Sequence, residues 1–319
     1  MDTKVKILNI IKASSNAVSG EEIAGRLGVS RTCVWKHIKE LKGLGYDFSA
    51  VSNNGYCLVR VPDRLYPWEI SQCLETEYFG REYHYYDTID STMDKASRIA
   101  MDGSSCGTVV LSETQSRGRG RLQREWISRK YQGLYFSIIL RPPLSLTDVS
   151  KITLVAGLAV LKALKEASGA DMYLKWPNDV IAGGRKLCGI LTELNAEADA
   201  VNFVNLGVGI NVNNSSGQLP SVGTSLFELC GSKLPRNILL AAVLLSLEDY
   251  YKEFLDNGFE KLRAQWIENS DFWGKTLRVS TLNDEYEAVA YSLDTDGTLL
   301  VRCPGNEIKR VISGDVCQI

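Results

Sequence analysis

The chain is poor in the residues that build metal centres, and it has no segment long enough to cross a membrane. It contains only two histidines, and none of its eight cysteines forms a Cys-x-x-Cys pair, so the spacing of a zinc site is absent. The longest uninterrupted apolar run, residues 238–245, is much shorter than a bilayer requires. No signal peptide opens the sequence. These absences predict a cytoplasmic protein with reduced thiols and no membrane partner.

The common nucleotide-binding motifs are also missing. Gly274-Lys275-Thr276 resembles the end of a phosphate-binding loop, but the position that needs the first glycine holds Asn269. Gly207-x-Gly209 lacks the third glycine of a dinucleotide fingerprint, because position 212 is valine. If this chain binds a nucleotide, it therefore does so through a different motif.

Charge is distributed unevenly along the chain. Residues 1–60 hold nine lysines and arginines against five acidic residues, a net charge of +4. The whole chain carries −2, so the remainder carries −6. A basic amino-terminal region, which we call the head, followed by an acidic remainder of the chain indicates that the head has an anionic partner of its own.

Residues 1–62 have the pattern of a winged helix-turn-helix domain. Ser19 and Glu22 form a capping box, Gly28 ends that helix, and Ser30 caps the next one. Two short strands then flank an Asn54-Gly55 turn, which is a hairpin signal. The second helix of such a pair enters the DNA major groove, so we expect DNA contacts from Ser30, Arg31, Thr32, Trp35, Lys36 and Lys39. The alternatives are a helical packing domain with solvated cations, and a Trp35 that is half-buried in the core.

The rest of the chain reads as two further domains, which makes the fold class α+β and multidomain. Residues 61–67 form a proline-containing linker, and residues 63–270 mix helices with groups of strands, which indicates a central mixed sheet. Helices are predicted over 68–76, 91–102, 148–168, 235–256 and 258–267, and strands over 83–87, 108–113, 134–140, 172–176, 186–194 and 201–210. Residues 271–319 read as a small β-barrel with strands over 276–280, 286–293, 298–302, 307–312 and 316–319.

The densest cationic stretch is SRGRGRLQREW, residues 116–126, which carries four arginines and two glycines. Glycine lets backbone N–H groups approach a ligand closely, and arginine presents forked donors that match phosphate oxygens. We expect a loop that is disordered when empty and closes over an anion. The alternatives are an RNA-binding Arg-Gly segment and an exposed loop without a ligand.

A second dense stretch is YLKWPNDVIAGGRKLCGILTEL, residues 173–194. Lys175, Asn178 and Asp179 lie where a strand ends, and Lys186 begins the return strand after a Gly183-Gly184 turn. Taken alone, Lys186 is an edge lysine and Asp179 a turn residue. The later NLGVGINVN segment, 205–213, supplies small residues that leave room for a flat ligand.

In this order and spacing, SRGRGR, KWPND, RKLCGIL and GVGIN resemble the motifs of biotin protein ligases. The winged-helix head makes the chain similar to ligases that also repress the biotin operon, over essentially the whole length. The resemblance implies a ligase fold for 63–270 and an SH3-like barrel for 271–319. The two other functions that stay open are a ligand-sensing transcription factor without ligase activity and a relative of lipoate ligases.

The resemblance also implies residue roles. Met93 departs from the family's Ser-Thr-Asn stretch, so an asparagine contact to biotin is lost or made elsewhere. Lys186 and Arg121 are implied to be catalytic, and Asp179 to hold Mg²⁺. The implied biotin-binding residues are Ser91, Thr92, Met93, Gln115, Arg119, Gly120, Arg121 and Lys186. The implied ATP- or adenylate-binding residues are Gly118, Arg121, Arg124, Asn178, Asp179, Lys186 and Asn211.

The implied reaction uses biotin, ATP and Mg²⁺. Biotin's carboxylate attacks the α-phosphate of ATP, pyrophosphate leaves, and a lysine of a biotin carboxyl carrier domain takes the biotinyl group from AMP. Closure of the arginine loop protects the mixed anhydride from water. The other implied partners are operator DNA and a second copy of the chain, in a homodimer strengthened by the adenylate.

Overall fold

The computed structural model describes residues 2–51, 55–197, 200–282 and 284–319. The chain folds into two compact units, the first ending at Arg64 and the second spanning Leu65–Ile319. The domain boundaries proposed after residues 62 and 270 stay predictions. Within the described ranges, no helix is both long and apolar enough to cross a bilayer.

The first unit has the helices and the hairpin of a winged helix-turn-helix. It contains α1 (Thr3–Lys12), α2 (Gly20–Leu27), α3 (Arg31–Gly43), β1 (Asp47–Val51) and β2 (Gly55–Arg60). The Oγ atoms of Ser19 and Ser30 accept hydrogen bonds from the N–H groups three residues later, and Gly28 ends α2 with a φ of 65°. The local signals therefore positioned both helices correctly. Asn54 of the predicted turn lies outside the described residues.

The second unit is built on a mixed sheet between helical layers. Seven strands in its described part pair in the order β3-β4-β5-β9-β8-β7-β6, with β3 and β4 parallel and the others antiparallel. Helix α5 packs on one face, and α7 and α9 pack on the other. The elements are α4 (Pro67–Ile70), β3 (Tyr83–Tyr86), α5 (Thr92–Met101), β4 (Val109–Ser112), β5 (Gly133–Leu140), α6 (Leu146–Val149), α7 (Lys151–Ser168), β6 (Tyr173–Lys175), β7 (Asp179–Ala182), β8 (Arg185–Glu197), β9 (Ala200–Asn211), α8 (Leu226–Cys230), α9 (Arg236–Asn257) and α10 (Glu260–Glu268).

Two predictions about these elements were wrong, and two short elements were not predicted. The helix expected over 68–76 ends at Ile70, and the chain turns so that the carboxylate of Glu248 accepts the backbone N–H groups of residues 77–79 at 2.7–2.8 Å. The helix expected over 148–168 is divided at Ser150 into α6 and α7. The short elements β7 and α8 were missed, because four or five residues carry too little periodicity.

The carboxyl-terminal residues form the expected small antiparallel β-structure. Its strands are β10 (Thr276–Ser280), β11 (Glu285–Leu293), β12 (Leu299–Arg302), β13 (Ile308–Val311) and β14 (Asp315–Gln318), and they pair in the order β13-β12-β11-β10-β14. Their buried side chains join the main core, and the Trp176 indole donates to the carbonyl of Gly297 at 3.1 Å. The barrel is therefore packed against the central sheet domain.

A buried ion pair fixes the strand that leads into the loop region. Glu113 and Arg236 are both fully buried, with Arg236 Nη1 2.7 Å from Glu113 Oε2. The other carboxylate oxygen of Glu113 accepts the Leu65 N–H at 2.9 Å, and Arg236 also donates to the carbonyl of Gly133 at 3.0 Å. The pair therefore joins the first residue of the unit to the end of β4 and the starts of β5 and α9.

Removing one partner of this pair should destabilise the second unit strongly. We predict that Arg236→Met lowers its free energy of unfolding by about 3–5 kcal/mol, because the carboxylate of Glu113 is left buried without its cation. The matched control is Lys162→Met, which breaks an exposed ion pair with Glu166 and should cost at most about 1 kcal/mol. Urea unfolding of the full chain measures both, and equal losses would contradict the structural role assigned to the buried pair.

Candidate active site

The face of the sheet beneath α5 has a strip of bare backbone. Gly209 of β9 pairs with Tyr135 of β5 and Gly189 of β8, and Gly207 pairs with Ser137 and Leu191. Paired residues of antiparallel strands, and residues two apart, share a face. Gly189, Gly207 and Gly209 therefore lie together on this face, and we call them the glycine trough.

Side chains occupy the positions where Cβ atoms of the trough would stand. A Cβ on Gly209 would lie 2.5 Å from the Trp126 ring, and one on Gly207 would lie 2.6 Å from Met93 Sδ. A Cβ on Gly189 would lie 2.9 Å from both Trp126 and Lys186. At each of the three positions a larger residue would force a neighbouring side chain to move, and at Gly209 that neighbour is the rigid indole ring of Trp126.

The predicted biotin residues at the start of α5 come together with Gln115. Gln115 Oε1 accepts from the backbone N–H and the hydroxyl of Thr92, at 2.8 and 3.1 Å, and Gln115 Nε2 donates to Ser128 Oγ at 3.0 Å. Ser91 Oγ caps α5 by accepting from the backbone N–H of Asp94. Met93 is buried, and its thioether packs on Gly207, so it lines the trough with an apolar group where the resemblance implied an amide.

Residues 116–126, which we call the arginine flap, form a short hairpin. Gly120 N–H donates to the carbonyl of Arg124 at 2.7 Å, and Trp126 N–H donates to the carbonyl of Gly118 at 2.9 Å. The tip, Arg121–Gln123, is a tight turn in which Leu122 and Gln123 have positive φ angles of 54° and 58°. The return strand brings the Trp126 ring over the glycine trough, where it packs directly on the backbone of Gly209.

Each arginine of the flap has a carboxylate partner. Burial lowers the pKa of the Arg121 guanidinium from its ordinary value, and the charges of Asp315 and Asp179 act in the opposite direction. The ion pairs are Arg117 with Asp90 (3.1 Å), Arg119 with Asp94 (2.7 Å) and Glu193 (3.2 Å), Arg121 with Asp315 (3.5 Å), and Arg124 with Asp315. A phosphate that arrives at Arg121 or Arg124 would compete with Asp315. Mobility of the empty flap stays a prediction.

Lys186 lies at one end of the trough. Its ammonium is 2.6 Å from Asp179 Oδ1 and 5.5 Å from the centre of the Trp126 ring. Its main chain is fixed by hydrogen bonds to residues 222 and 224, and the Asn211 amide donates to the carbonyl of Thr224 at 3.0 Å. The side-chain nitrogen of Asn211 is therefore used within the protein, although the resemblance implied a ligand contact.

A polar cleft of about 240 Å³ separates the KWPND segment from the barrel. Asn178 and Asp179 line it, and Asn178 Oδ1 also accepts from Arg121 at 3.3 Å. Sequence reasoning did not assign the remaining charged residues of this cleft to the site, although Lys175 belongs to a recognised motif. Those residues are Lys175, Arg278 and Asp315, and the flap adds Arg124.

The candidate DNA-binding residues of the first unit share one exposed side of α3. Val34, Ile38 and Leu41 are buried, whereas all the predicted contact residues are exposed. Trp35 is 56% exposed, so its alternative placement in the core is wrong. Lys39 Nζ lies 5.5 Å from the centre of the Trp35 ring, which places an aromatic surface and a cation together on this side.

Comparisons with known proteins agree with this architecture. Family models match residues 4–57 as an HTH domain, 85–211 as the biotin/lipoate A/B protein ligase family, and 272–317 as the biotin protein ligase C terminal domain. The bifunctional ligase/repressor BirA of Bacillus subtilis is 37% identical over 310 residues, which cover 96% of this chain and 95% of that protein. The chain belongs to the family of bifunctional biotin ligases and repressors.

Other members of this family and a solved ligase structure support the assignment. BirA of Escherichia coli is 27% identical over 304 residues, covering 93% of this chain and 92% of that protein. A structure of the Aquifex aeolicus biotin protein ligase in complex with biotin and ATP matches with a TM-score of 0.65 and 28% identity, covering 74% of this chain and 98% of that one. This bifunctional family member is therefore a biotin–protein ligase with a DNA-binding head.

The glycine trough generates a direct prediction. In Gly209→Ala, the added methyl must displace the Trp126 ring, so we expect the KM for biotin or ATP to rise by roughly tenfold or more. The control is Gly25→Ala in α2, where a Cβ meets nothing within 4 Å. Biotin-dependent pyrophosphate release measures both variants. Wild-type kinetics for Gly209→Ala would show that the bare backbone is not required.

Proposed function

We propose that the glycine trough, the arginine flap and Lys186 join biotin to AMP and then release the biotinyl group to a carrier lysine. The observation that carries this proposal is the position of the Lys186 ammonium, at one end of the trough and beneath the Trp126 ring of the flap. The likeness to a ligase solved with biotin and ATP supports it.

Biotin would lie along the trough with its two chemically different ends in different surroundings. Its carboxylate would meet the ammonium of Lys186, exchanging for the contact with Asp179. Its ring system would meet the hydrogen-bonding groups of Ser91, Thr92 and Gln115, and the apolar surface of Met93. A ligand with one charged and one amphipathic end would thus bind in a single orientation.

ATP would place its phosphates in the cleft beside the flap. Arg121 and Arg124 would leave Asp315 for the phosphate oxygens, and Lys175 and Arg278 would add positive charge from the cleft walls. The reaction joins two anions, and these cations offset their repulsion. A carboxylate oxygen of biotin then bonds to the α-phosphorus while the bond to pyrophosphate breaks.

The site fits a magnesium ion that arrives with the nucleotide. Among the described residues, no group of three or more histidine, cysteine or acidic side chains could hold a metal, and Asp179 pairs with Lys186. Mg²⁺ commonly takes one carboxylate and several phosphate or water oxygens. Asp179 would supply that carboxylate, and the ion would neutralise phosphate charge.

The second half-reaction needs no nucleophile from this chain. The amine of a carrier-domain lysine attacks the acyl carbon of biotinoyl-AMP, the bond from that carbon to the phosphate oxygen breaks, and AMP leaves. The flap would exclude water until the amine arrives. All eight cysteines are free thiols in the described part of the chain, which supports the proposal that these steps occur in a reducing cytoplasm.

Arg121 provides the sharpest test of this proposal. Arg121→Ala should slow biotinoyl-AMP formation by about 10²-fold, because one positioned cation is lost from the transition state. The control is Arg117→Ala in the same flap, whose side chain is 76% exposed and reaches Asp90 instead of the cleft, and it should stay near wild type. Rapid-quench detection of biotinoyl-AMP measures both. Equal rates in the two variants would show that the flap does not bind phosphate through Arg121.

We also propose that the adenylate controls dimerisation and repression. Strand β7 pairs with β8 only from Arg185 to Gly189, so residues 191–197 of β8 have an outer edge that no strand in the described ranges covers. Two copies could pair along this edge, and Arg119 connects it to the flap through Glu193. The carrier domain would compete for the same edge.

Operator binding should therefore depend on both substrates. We predict that biotin plus ATP raises dimerisation in sedimentation experiments and operator affinity in gel shifts together, because a dimer presents two winged helices to two half-sites. Lys36→Ala should weaken operator binding and its salt dependence without changing carrier biotinylation. Equal operator affinity with and without the substrates would contradict the coupling, and loss of carrier biotinylation in Lys36→Ala would contradict the separate roles of the two units.

A further inference from the structure

Two carboxylates outside the assigned site converge on one nitrogen of the flap. Arg119 Nη2 lies 2.7 Å from Asp94 Oδ1 and 3.2 Å from both carboxylate oxygens of Glu193. Asp94 belongs to the first turn of α5, and Glu193 belongs to β8. The guanidinium therefore bridges the helix above the sheet to a strand within it.

This bridge stands at the end of the trough remote from Lys186. Glu193 of β8 pairs with Asn205 of β9, and this pair lies next to the Leu191–Gly207 pair on the same face of the sheet. The side-chain amide of Asn205 donates to Ser97 Oγ of α5 at 2.7 Å. Glu193 therefore faces α5. It lies four residues along β8 from Gly189, and four residues of a strand span about 13 Å. Since Lys186 would take the carboxylate of biotin, the bridge lies toward the ring end.

Backbone hydrogen bonds hold the start of the flap to residues 89 and 90 and hold its two strands together, but the side chain that connects residues 118–120 to α5 and β8 is that of Arg119. Arg119 is flanked by Gly118 and Gly120, and glycine loses the most conformational freedom when it is ordered. Arg121 and Arg124 extend instead toward the cleft and the barrel. A guanidinium shared by two carboxylates is already neutralised, so Arg119 is poorly suited to bind phosphate.

We propose that Asp94 and Glu193 form an acidic clasp that holds Arg119, and with it residues 118–120, over the ring end of the biotin trough. Both carboxylates are then positioning residues for biotin. The proposal rests on the adenylation function proposed above, and it differs from a direct contact between the Arg119 side chain and biotin.

The test is a double-mutant cycle on the full chain. Glu193→Gln, Arg119→Gln and the double variant are compared in biotinoyl-AMP formation without a carrier, with KM for biotin and kcat determined at saturating ATP. The control is Glu268→Gln, an exposed acid at the end of α10, outside every surface to which a role is assigned. Each single variant should raise the KM for biotin by about threefold to tenfold, as expected for partly exposed ion pairs, with kcat within about twofold of wild type. Asp94→Asn should act like Glu193→Gln.

The double variant should raise the KM no further than Arg119→Gln alone, because the clasp is already open. If the KM increase of the double variant equals the product of the two single increases, Arg119 and Glu193 act independently, and the proposal is overturned. A Glu193→Gln variant whose KM equals that of Glu268→Gln, or one that loses kcat with an unchanged KM, would also overturn it. If the wild-type chain makes no biotinoyl-AMP, the proposed function is wrong. If the wild-type chain makes biotinoyl-AMP and Glu193→Gln has the wild-type KM for biotin, only the acidic clasp is wrong.

Discussion

Bare backbone in the middle of β8 and β9 is the constraint on which this active site depends. Gly189, Gly207 and Gly209 allow Trp126 and Met93 to approach the sheet at distances that a Cβ would prevent. The flap can therefore lie directly against the sheet, with the Trp126 ring beside the ammonium of Lys186. The same contacts explain how a hairpin with two glycines and four arginines has a defined position in a largely acidic unit.

Charge pairing divides the flap into parts with separate tasks. The tip is held by Asp315, a residue of the barrel, so the barrel takes part in arranging the two arginines that we propose to bind phosphate. The first strand is held by α5 and β8 through Arg119. Anionic substrates would displace the contacts between Asp315 and the tip and would leave the contacts of Arg119 in place. The base of the flap would then stay fixed while the tip exchanges its partners.

Local signals predicted much of this protein, and long-range contacts account for the rest. Ser19, Gly28 and Ser30 define helix ends with side chains and backbone angles a few residues away, and the ligase motifs are contiguous in the chain. By contrast, the turn after Ile70 depends on Glu248, far along the sequence. The approach of Arg278 and Asp315 to the KWPND segment also exists only after folding. Glu193 resembles any other solvent-facing residue of a strand until α5 and the flap pack around it.

The most direct test of the account is hydrogen exchange of residues 116–126 in the full chain, measured without ligand, with each substrate and with biotin and ATP together. The account predicts that the two substrates together slow exchange at the flap tip most strongly, and that biotinoyl-AMP stays with the protein through gel filtration. Exchange that is the same in all four states, with no adenylate retained, would contradict it.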